Sequence, residues 1–280
     1  MKIAWVADFT VQDYKSGGAQ YTNEMYIKEG IKRGHKIDIL TKEFDLTNGY
    51  SFYILNNITH FSNQFLNKII DGKKNYMRIE HDYYTLDNIN NFPKLFKNSF
   101  LNIFMSDIHM NEYLKKIEVH NADYITSPVD IEKFIPKGDK DNKMVVWVGS
   151  FSPHKGVKNI LSYAKTKSRW TFYLFGKNLG PEYLNRSTVP ENCKIMGEVE
   201  QDELIKYYQK ARYVIHLPNW IEPTGRSVME GYLCGCDLII NNRVGYMHED
   251  WNWNDYEEIK SYCKTEKELW IKIEDRLGEL

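Results

Sequence analysis

The sequence predicts an α/β protein of two doubly wound parallel sheets, and three observations carry that prediction. Apolar runs of strand length alternate with helical patterns along all 280 residues. The alternation pauses at a polar stretch near the middle and then restarts, which marks a second domain of the same kind. No apolar stretch nears the roughly 20 residues of a membrane span, and 42% hydrophobic with 27% charged residues is ordinary for a chain that buries a core.

The elements follow in order. Ile3–Ala7 reads as a buried strand, Ala19–Arg33 as an amphipathic helix stopped by Gly34, and Lys36–Leu40 as the next strand. Phe52–Leu55, Tyr76–Glu80, Leu101–Met105 and Tyr124–Thr126 are further strands, with helices near Asn63–Ile70 and Ile108–Ile117. Ser127 to Pro136 and the polar run Lys137–Lys143 end this half, so residues 1–135 form the first domain and 136–143 the linker. The second domain, 144–254, begins with strand Met144–Val148, helix Val157–Lys165 and strand Thr171–Phe175. It continues with a strand near Lys194–Met196, helix Asp202–Lys210, strand Tyr213–His216, helix Gly225–Leu233 and strand Asp237–Ile240. Residues 255–280 form a helical tail of one or two helices. Parallel sheets covered on both faces bind ligands at the carboxyl ends of their strands, so a cleft between the halves is the expected site.

Composition narrows the function. The formal net charge is −1 and neither half is basic, so no long-range field draws the chain onto nucleic acid or an anionic membrane. The cysteines Cys193, Cys234, Cys236 and Cys263 lack zinc-site spacing and read as buried thiols. The N-terminus has no signal-peptide core, so a cytoplasmic protein with at most peripheral membrane contact is expected. No strand leads into Gly-x-Gly-x-x-Gly, which argues against a dinucleotide cofactor.

Three segments carry chemistry. Glu222-Pro-Thr-Gly225-Arg226-Ser227-Val-Met-Glu230-Gly231 follows a strand and opens a helix. The N–H groups of Gly225, Arg226 and Ser227 would start that helix unpaired and, with its dipole, form a diphosphate cradle. Arg226 adds a cation for a departing diphosphate. Of Glu222 and Glu230, one can accept sugar hydroxyls and the other a ribose diol; the alternative is a surface loop acid and a solvated helix face. Trp147-Val-Gly149-Ser150-Phe-Ser-Pro-His-Lys155-Gly156 places Lys155 where it reaches phosphate, unless it is an ordinary surface lysine. Ser16-Gly17-Gly18-Ala19-Gln20 precedes the first helix, where paired glycines either admit a ligand to the backbone or make a flexible turn.

Together these segments resemble the glycosyltransferases of family four (glycosyl transferases group 1), the large retaining group with the GT-B fold of two Rossmann-like domains facing a cleft. The resemblance runs over nearly the whole chain, through Asp130 and Phe134 in the exit from the first domain to Asn242-Arg-Val-Gly245. It implies that Glu222 contacts the transferred sugar, that Glu230 holds the nucleotide ribose, and that Lys155 and Arg226 stabilise the leaving diphosphate. Gly17, Gly18, Gly149, Ser150, Gly176, Gly225 and Ser227 would line the donor, with Glu198 and Val199 at the nucleobase. His81 would line the sugar and acceptor side, or only make local hydrogen bonds at a strand end. No metal and no cofactor are implied, the nucleotide-sugar being a substrate. The family commonly has arginine where this chain has Ser150, and Arg226 is expected to compensate.

The expected activity is retaining transfer of a sugar from a UDP- or GDP-type donor to a hydroxyl of a glycan, a lipid-linked sugar or a small molecule. A hydroxymethylated DNA base is an alternative acceptor, for which Lys68, Lys73, Lys74 and Arg78 could form a basic stripe. The near-neutral charge argues against it. A nucleotide-sugar-binding protein without turnover is the non-enzymatic alternative.

Overall fold

The opening Lys-Ile-Ala-Trp-Val-Ala is apolar after its first residue and forms β1 (Lys2–Ala7), with Ile3 to Val6 fully buried. A strand this continuous in its hydrophobicity belongs in the middle of a parallel sheet covered on both faces. The computed structural model describes residues 1–10, 17–87, 93–177, 180, 184 and 186–278; Ser16 of the first glycine segment lies outside them.

The chain divides into two units. The first comprises Met1–Pro128 together with Thr265–Leu280, and the second Val129–Lys264. In the first, α1 (Gly18–Lys32) leads to β2 (Lys36–Leu40), β3 (Phe52–Asn56), α2 (Asn63–Asp71) and β4 (Tyr76–Ile79). Two short helices, α3 (Tyr84–Asp87) and α4 (Pro93–Lys97), precede β5 (Asn102–Phe104), α5 (Asp107–Leu114) and β6 (Ala122–Tyr124). Strand order is β2-β1-β3-β4-β5-β6, all parallel. Serines start the helices that need stopping points in the chain: Ser62 accepts from the Phe65 amide at 3.2 Å and Ser106 from the His109 amide at 3.3 Å.

The second unit runs β7 (Asp141–Val148), α6 (Val157–Thr166), β8 (Thr171–Phe175), β9 (Cys193–Gly197), α7 (Gln201–Lys210), β10 (Ala211–His216), α8 (Arg226–Leu233) and β11 (Asp237–Ile240). Its parallel sheet has the order β11-β10-β7-β8-β9. The chain winds outward from β7 through β9, then returns to the other side of β7 to place β10 and β11. This reversal opens a crevice beyond the carboxyl ends of β7 and β10. The α/β class and the two doubly wound parallel sheets are therefore those the sequence predicts.

The division differs from the expected one at both ends. The polar run after residue 136 is partly strand, since β7 already begins at Asp141, and Val129, Ile131 and Phe134 pack in the core of the second unit. The helical tail splits into α9 (Tyr256–Tyr262), in the second unit, and α10 (Glu266–Gly278), which returns to the first. Trp270 of α10 is fully buried and donates its indole N–H to the Tyr26 carbonyl at 2.7 Å. Gly30 on α1 makes the room: a Cβ there would lie 2.1 Å from the Trp270 ring. No helix among the described residues is long and apolar enough to cross a membrane.

Candidate functional site

Two loops leave the carboxyl ends of β7 and β10, and side-chain amides tie them together. Asn219 donates to the Pro153 carbonyl at 2.7 Å and takes the Asn159 amide at 2.8 Å, while its own backbone N–H reaches His154 O at 2.9 Å. Asn159, on α6, also holds Leu217 O at 2.9 Å. Gly156 has φ +69°, and a Cβ there would sit 1.9 Å from the Leu217 carbonyl oxygen, so only glycine lets the loops touch this closely. That contact sets Lys155 beside the β10 loop.

Lys155 reaches Glu222. Its ammonium lies 2.6 Å from one carboxylate oxygen and 2.8 Å from the other. Glu222 is 4% exposed, so it is not the surface loop acid of the alternative reading. Its backbone N–H donates to Arg243 O at 2.7 Å, which fixes the loop against the segment after β11. His216 Nε2 lies 3.3 Å from Glu222 Oε1, and the Trp220 indole N–H points to the same oxygen at 3.4 Å. Burial alone would raise the Glu222 pKa, but Lys155 and His216 outweigh it and hold the carboxyl well below the usual range.

A second pair stands at the start of α8. Gly225, with φ +87°, caps the helix in the left-handed region, and Arg226 is its first residue. Arg226 Nε donates to Glu230 Oε1 at 2.8 Å, one turn along. Glu230 is 6% exposed, and its burial outweighs the arginine, so its pKa is raised. Arg226 and Ser227 stand in the first turn, where a helix presents N–H groups beyond its own ladder. Two cation–carboxylate pairs and a helix N-terminus thus meet around the β7/β10 switch point.

The remaining predicted residues of this unit surround the strand ends. Gly149 N–H bonds to Phe175 O at 3.0 Å and Gly176 N–H to Gly197 O at 2.8 Å, so the backbone runs bare across β7, β8 and β9. A Cβ on Gly176 would approach Gly149 O to 1.9 Å. Ser150 Oγ lies 3.4 Å from Ser152 Oγ. Glu198, exposed, and Val199 follow β9 directly.

Gly17, Gly18 and His81 belong to the first unit. Gly17 caps α1 with an extended backbone and Gly18 begins the helix. His81 follows β4, where its Nε2 lies 2.9 Å from Asn23 Oδ1 and 3.1 Å from Asn56 Oδ1. Two amide oxygens at one ring nitrogen make it the protonated one. Asp8, at the end of β1, accepts the backbone N–H groups of Thr59 and His60, each at 2.9 Å, and so braces the loop after β3.

Asn23, Asn56, Asn159, Asn219 and His216 belong to no motif that the sequence displays. A histidine ending the apolar strand Tyr213–His216 was a signal for the last; the asparagines carry none. Arg78 corrects an expectation. It is fully buried, paired with Glu80 and stacked 4.1 Å over Phe96, so it joins no surface stripe with Lys68, Lys73 and Lys74. Among the described residues, no three His, Cys, Asp or Glu side chains converge on a metal position.

Comparisons with known proteins bear on the fold and on the second unit. The sequence profile of the family Glycosyl transferases group 1 matches residues 129–250. No curated protein sequence matches. Among solved structures, Anabaena HepE in complex with UDP-glucose superposes at TM-score 0.71 and 14% identity, covering 100% of both chains. AviGT4, a glycosyltransferase of avilamycin A biosynthesis, superposes at 0.70 and 13% identity over 97% of this chain and 96% of its own. An alpha-glucosyltransferase with UDP and a 13-mer DNA containing an HMU base gives 0.67 at 14% identity, over 96% and 90%. The fold is GT-B.

Proposed function

We propose that this chain, whose residues 129–250 match the group 1 glycosyltransferase model and whose fold is GT-B, transfers a sugar from a nucleoside-diphosphate sugar to an acceptor hydroxyl. The observation that carries the reading is the pairing of Lys155 with Glu222 and Arg226 with Glu230 at the mouth of a doubly wound sheet.

Each pair holds a cation suited to phosphate beside a carboxylate suited to hydroxyls. A diphosphate at the start of α8 draws Lys155 and Arg226 toward its oxygens and receives the helix N–H groups. Glu222 then accepts from hydroxyls of the donor sugar and Glu230 from the ribose diol. As the sugar–phosphate bond breaks, charge grows on the diphosphate, and the two cations stabilise it more in the transition state than in the ground state. With serine at position 150, that work falls to Lys155 and Arg226. The chemistry needs no metal, and the configuration at the sugar carbon is retained.

UDP is the first donor to try, because HepE and the alpha-glucosyltransferase hold it; GDP is the second. The acceptor is a glycan, a lipid-linked sugar or a small molecule, met in the cytoplasm. A hydroxymethylated DNA base is the second reading, favoured by the likeness to the DNA-bound alpha-glucosyltransferase. The burial of Arg78 and the near-neutral charge weigh against it. The test is release of UDP from UDP-glucose and of GDP from GDP-sugars, in a chelator, for wild type and Glu222→Gln. Wild-type turnover that falls by about 100-fold or more in the variant supports the assignment. Equal turnover in the two sinks it.

A further inference from the structure

Lys155 has two tasks that conflict. Its ammonium bridges both oxygens of Glu222, yet the donor reading above, on which this inference rests, sends it to the diphosphate. An ammonium has three N–H donors, and bridging one carboxylate occupies two of them. When Lys155 turns away, a carboxylate only 4% exposed must stay ionised and oriented toward the sugar. Something else must hold it.

We infer that His216 is the positioning residue for Glu222, its Nε2–H holding the carboxylate once Lys155 has moved to the donor. His216 ends β10 beside Ile240 of β11 and is 2% exposed. Its Nε2 lies 3.3 Å from Glu222 Oε1. Both ring nitrogens are buried, and neither makes a well-formed hydrogen bond among the described residues while Lys155 occupies the carboxylate. Glu222 Oε1 is the acceptor within reach of the ring, on the Nε2 side, and an orphaned lone pair is tolerated better than an orphaned N–H, so the proton belongs on Nε2, from which a small turn of the freed carboxylate completes the bond. Pairing with Ile240 of β11 fixes the backbone at His216, and burial of the ring leaves its packing to limit rotation of the side chain. Trp220 touches the same oxygen from a loop. His216 touches it from the sheet, and the sheet stays in place while loops adjust to a ligand. Lys155 and Glu222 are thus a resting pair, and His216 and Glu222 the working pair.

The test uses the whole chain with UDP and UDP-glucose as probes, and GDP with GDP-mannose if UDP does not bind. His216→Phe keeps the ring volume and removes the donor. Gln at 216 presents an amide N–H where imidazole Nε2 stood, whereas Asn is too short to reach. The inference expects His216→Phe and His216→Asn to lower kcat for sugar release by about 10- to 100-fold, the worth of one hydrogen bond to a charged group. It expects His216→Gln to recover most of that loss. The Kd for the nucleoside diphosphate, which lacks the sugar that Glu222 orients, stays within about twofold throughout. Should His216→Phe fail to fold, the Gln–Asn pair carries the same comparison with matched polarity. Wild-type kcat in the Phe or Asn variants overturns the inference, and so does a Gln variant no better than Asn. A nucleotide affinity that falls in step with kcat also overturns it, because His216 would then only support the loop. Those results leave the donor reading standing, whereas a wild-type protein that takes neither UDP nor GDP sinks that reading and this one with it.

Discussion

His109 makes the stability of the first unit depend on pH, and the size of the effect follows from its surroundings. The ring is fully buried beneath Tyr83, Phe104 and Tyr113. Nδ1 accepts the Met105 N–H at 3.2 Å, and Nε2 lies 3.0 Å from Asp82 O and so carries the proton. An imidazolium would turn Nδ1 into a donor facing another donor. Burial lowers the pKa from 6.5 to about 3, against a smaller raising by the Asp82 carbonyl. A depressed folded pKa means that the unfolded chain takes up the proton first as pH falls. The stabilisation is therefore complete above pH 6.5 and is lost progressively as pH drops toward 3. One pKa unit corresponds to about 1.4 kcal/mol, so between roughly pH 7 and pH 5 the contribution falls by about 2 kcal/mol. His109→Asn removes the titration while leaving an amide oxygen near the Nδ1 position to accept from Met105. Urea unfolding of wild type and variant at three pH values between 7 and 5 measures the difference. Wild type should lead at pH 7, and its lead should shrink by about 2 kcal/mol at pH 5. A lead that is constant with pH refutes the reasoning.

Other predictions concern the packing that positions the site. Trp270→Ala should cost about 3–5 kcal/mol through the cavity under Gly30. Hydrogen exchange should then show α1 losing protection while β7 to β11 keep theirs. Gly156→Ala should cost about 2–3 kcal/mol, because a Cβ there meets the Leu217 carbonyl in a left-handed backbone. Its melting curve should fall accordingly, with Glu222 displaced from Lys155. The thiols of Cys193, Cys234 and Cys236, each buried with a pKa pushed up by burial, should react with a thiol reagent only as fast as the second unit opens. Rapid labelling of native protein would contradict their placement.

The strands were legible because a parallel sheet buried on both faces writes each strand as an apolar run. Thr171–Phe175 forms over the residues expected of it, and so do the less buried edge strands Lys36–Leu40 and Asp237–Ile240. Glycine and proline punctuation placed the loops after β7 and β10, and with them Lys155, Gly225 and Arg226. What the sequence hid is long-range. Nothing near Glu266–Gly278 says that Trp270 fits over Gly30, so the tail's return to the first unit was unreadable. Pro93–Lys97 is too short for helical periodicity to register. In the site, Lys155 and Glu222 were each legible as charged loop residues, but they are far apart in the chain. Their contact depends on two loops held by Asn159 and Asn219, polar residues no different in sequence from solvent-facing ones. Arg78 shows the converse: an arginine in a strand pattern reads as surface until Glu80 and Phe96 are seen to enclose it.

In the proposed function, the mouth of the second sheet binds a nucleoside diphosphate through protein groups alone. The direct measurement is thermal unfolding with UDP, GDP, ADP and TDP and their sugar conjugates, in a chelator, for wild type and Arg226→Ala. At about 100 times its dissociation constant a ligand adds about 2.7 kcal/mol of stability. Melting temperature should rise clearly with one base, and Arg226→Ala should abolish or sharply reduce the rise. No rise with any nucleotide, or a rise that Arg226→Ala leaves intact, would contradict the proposal.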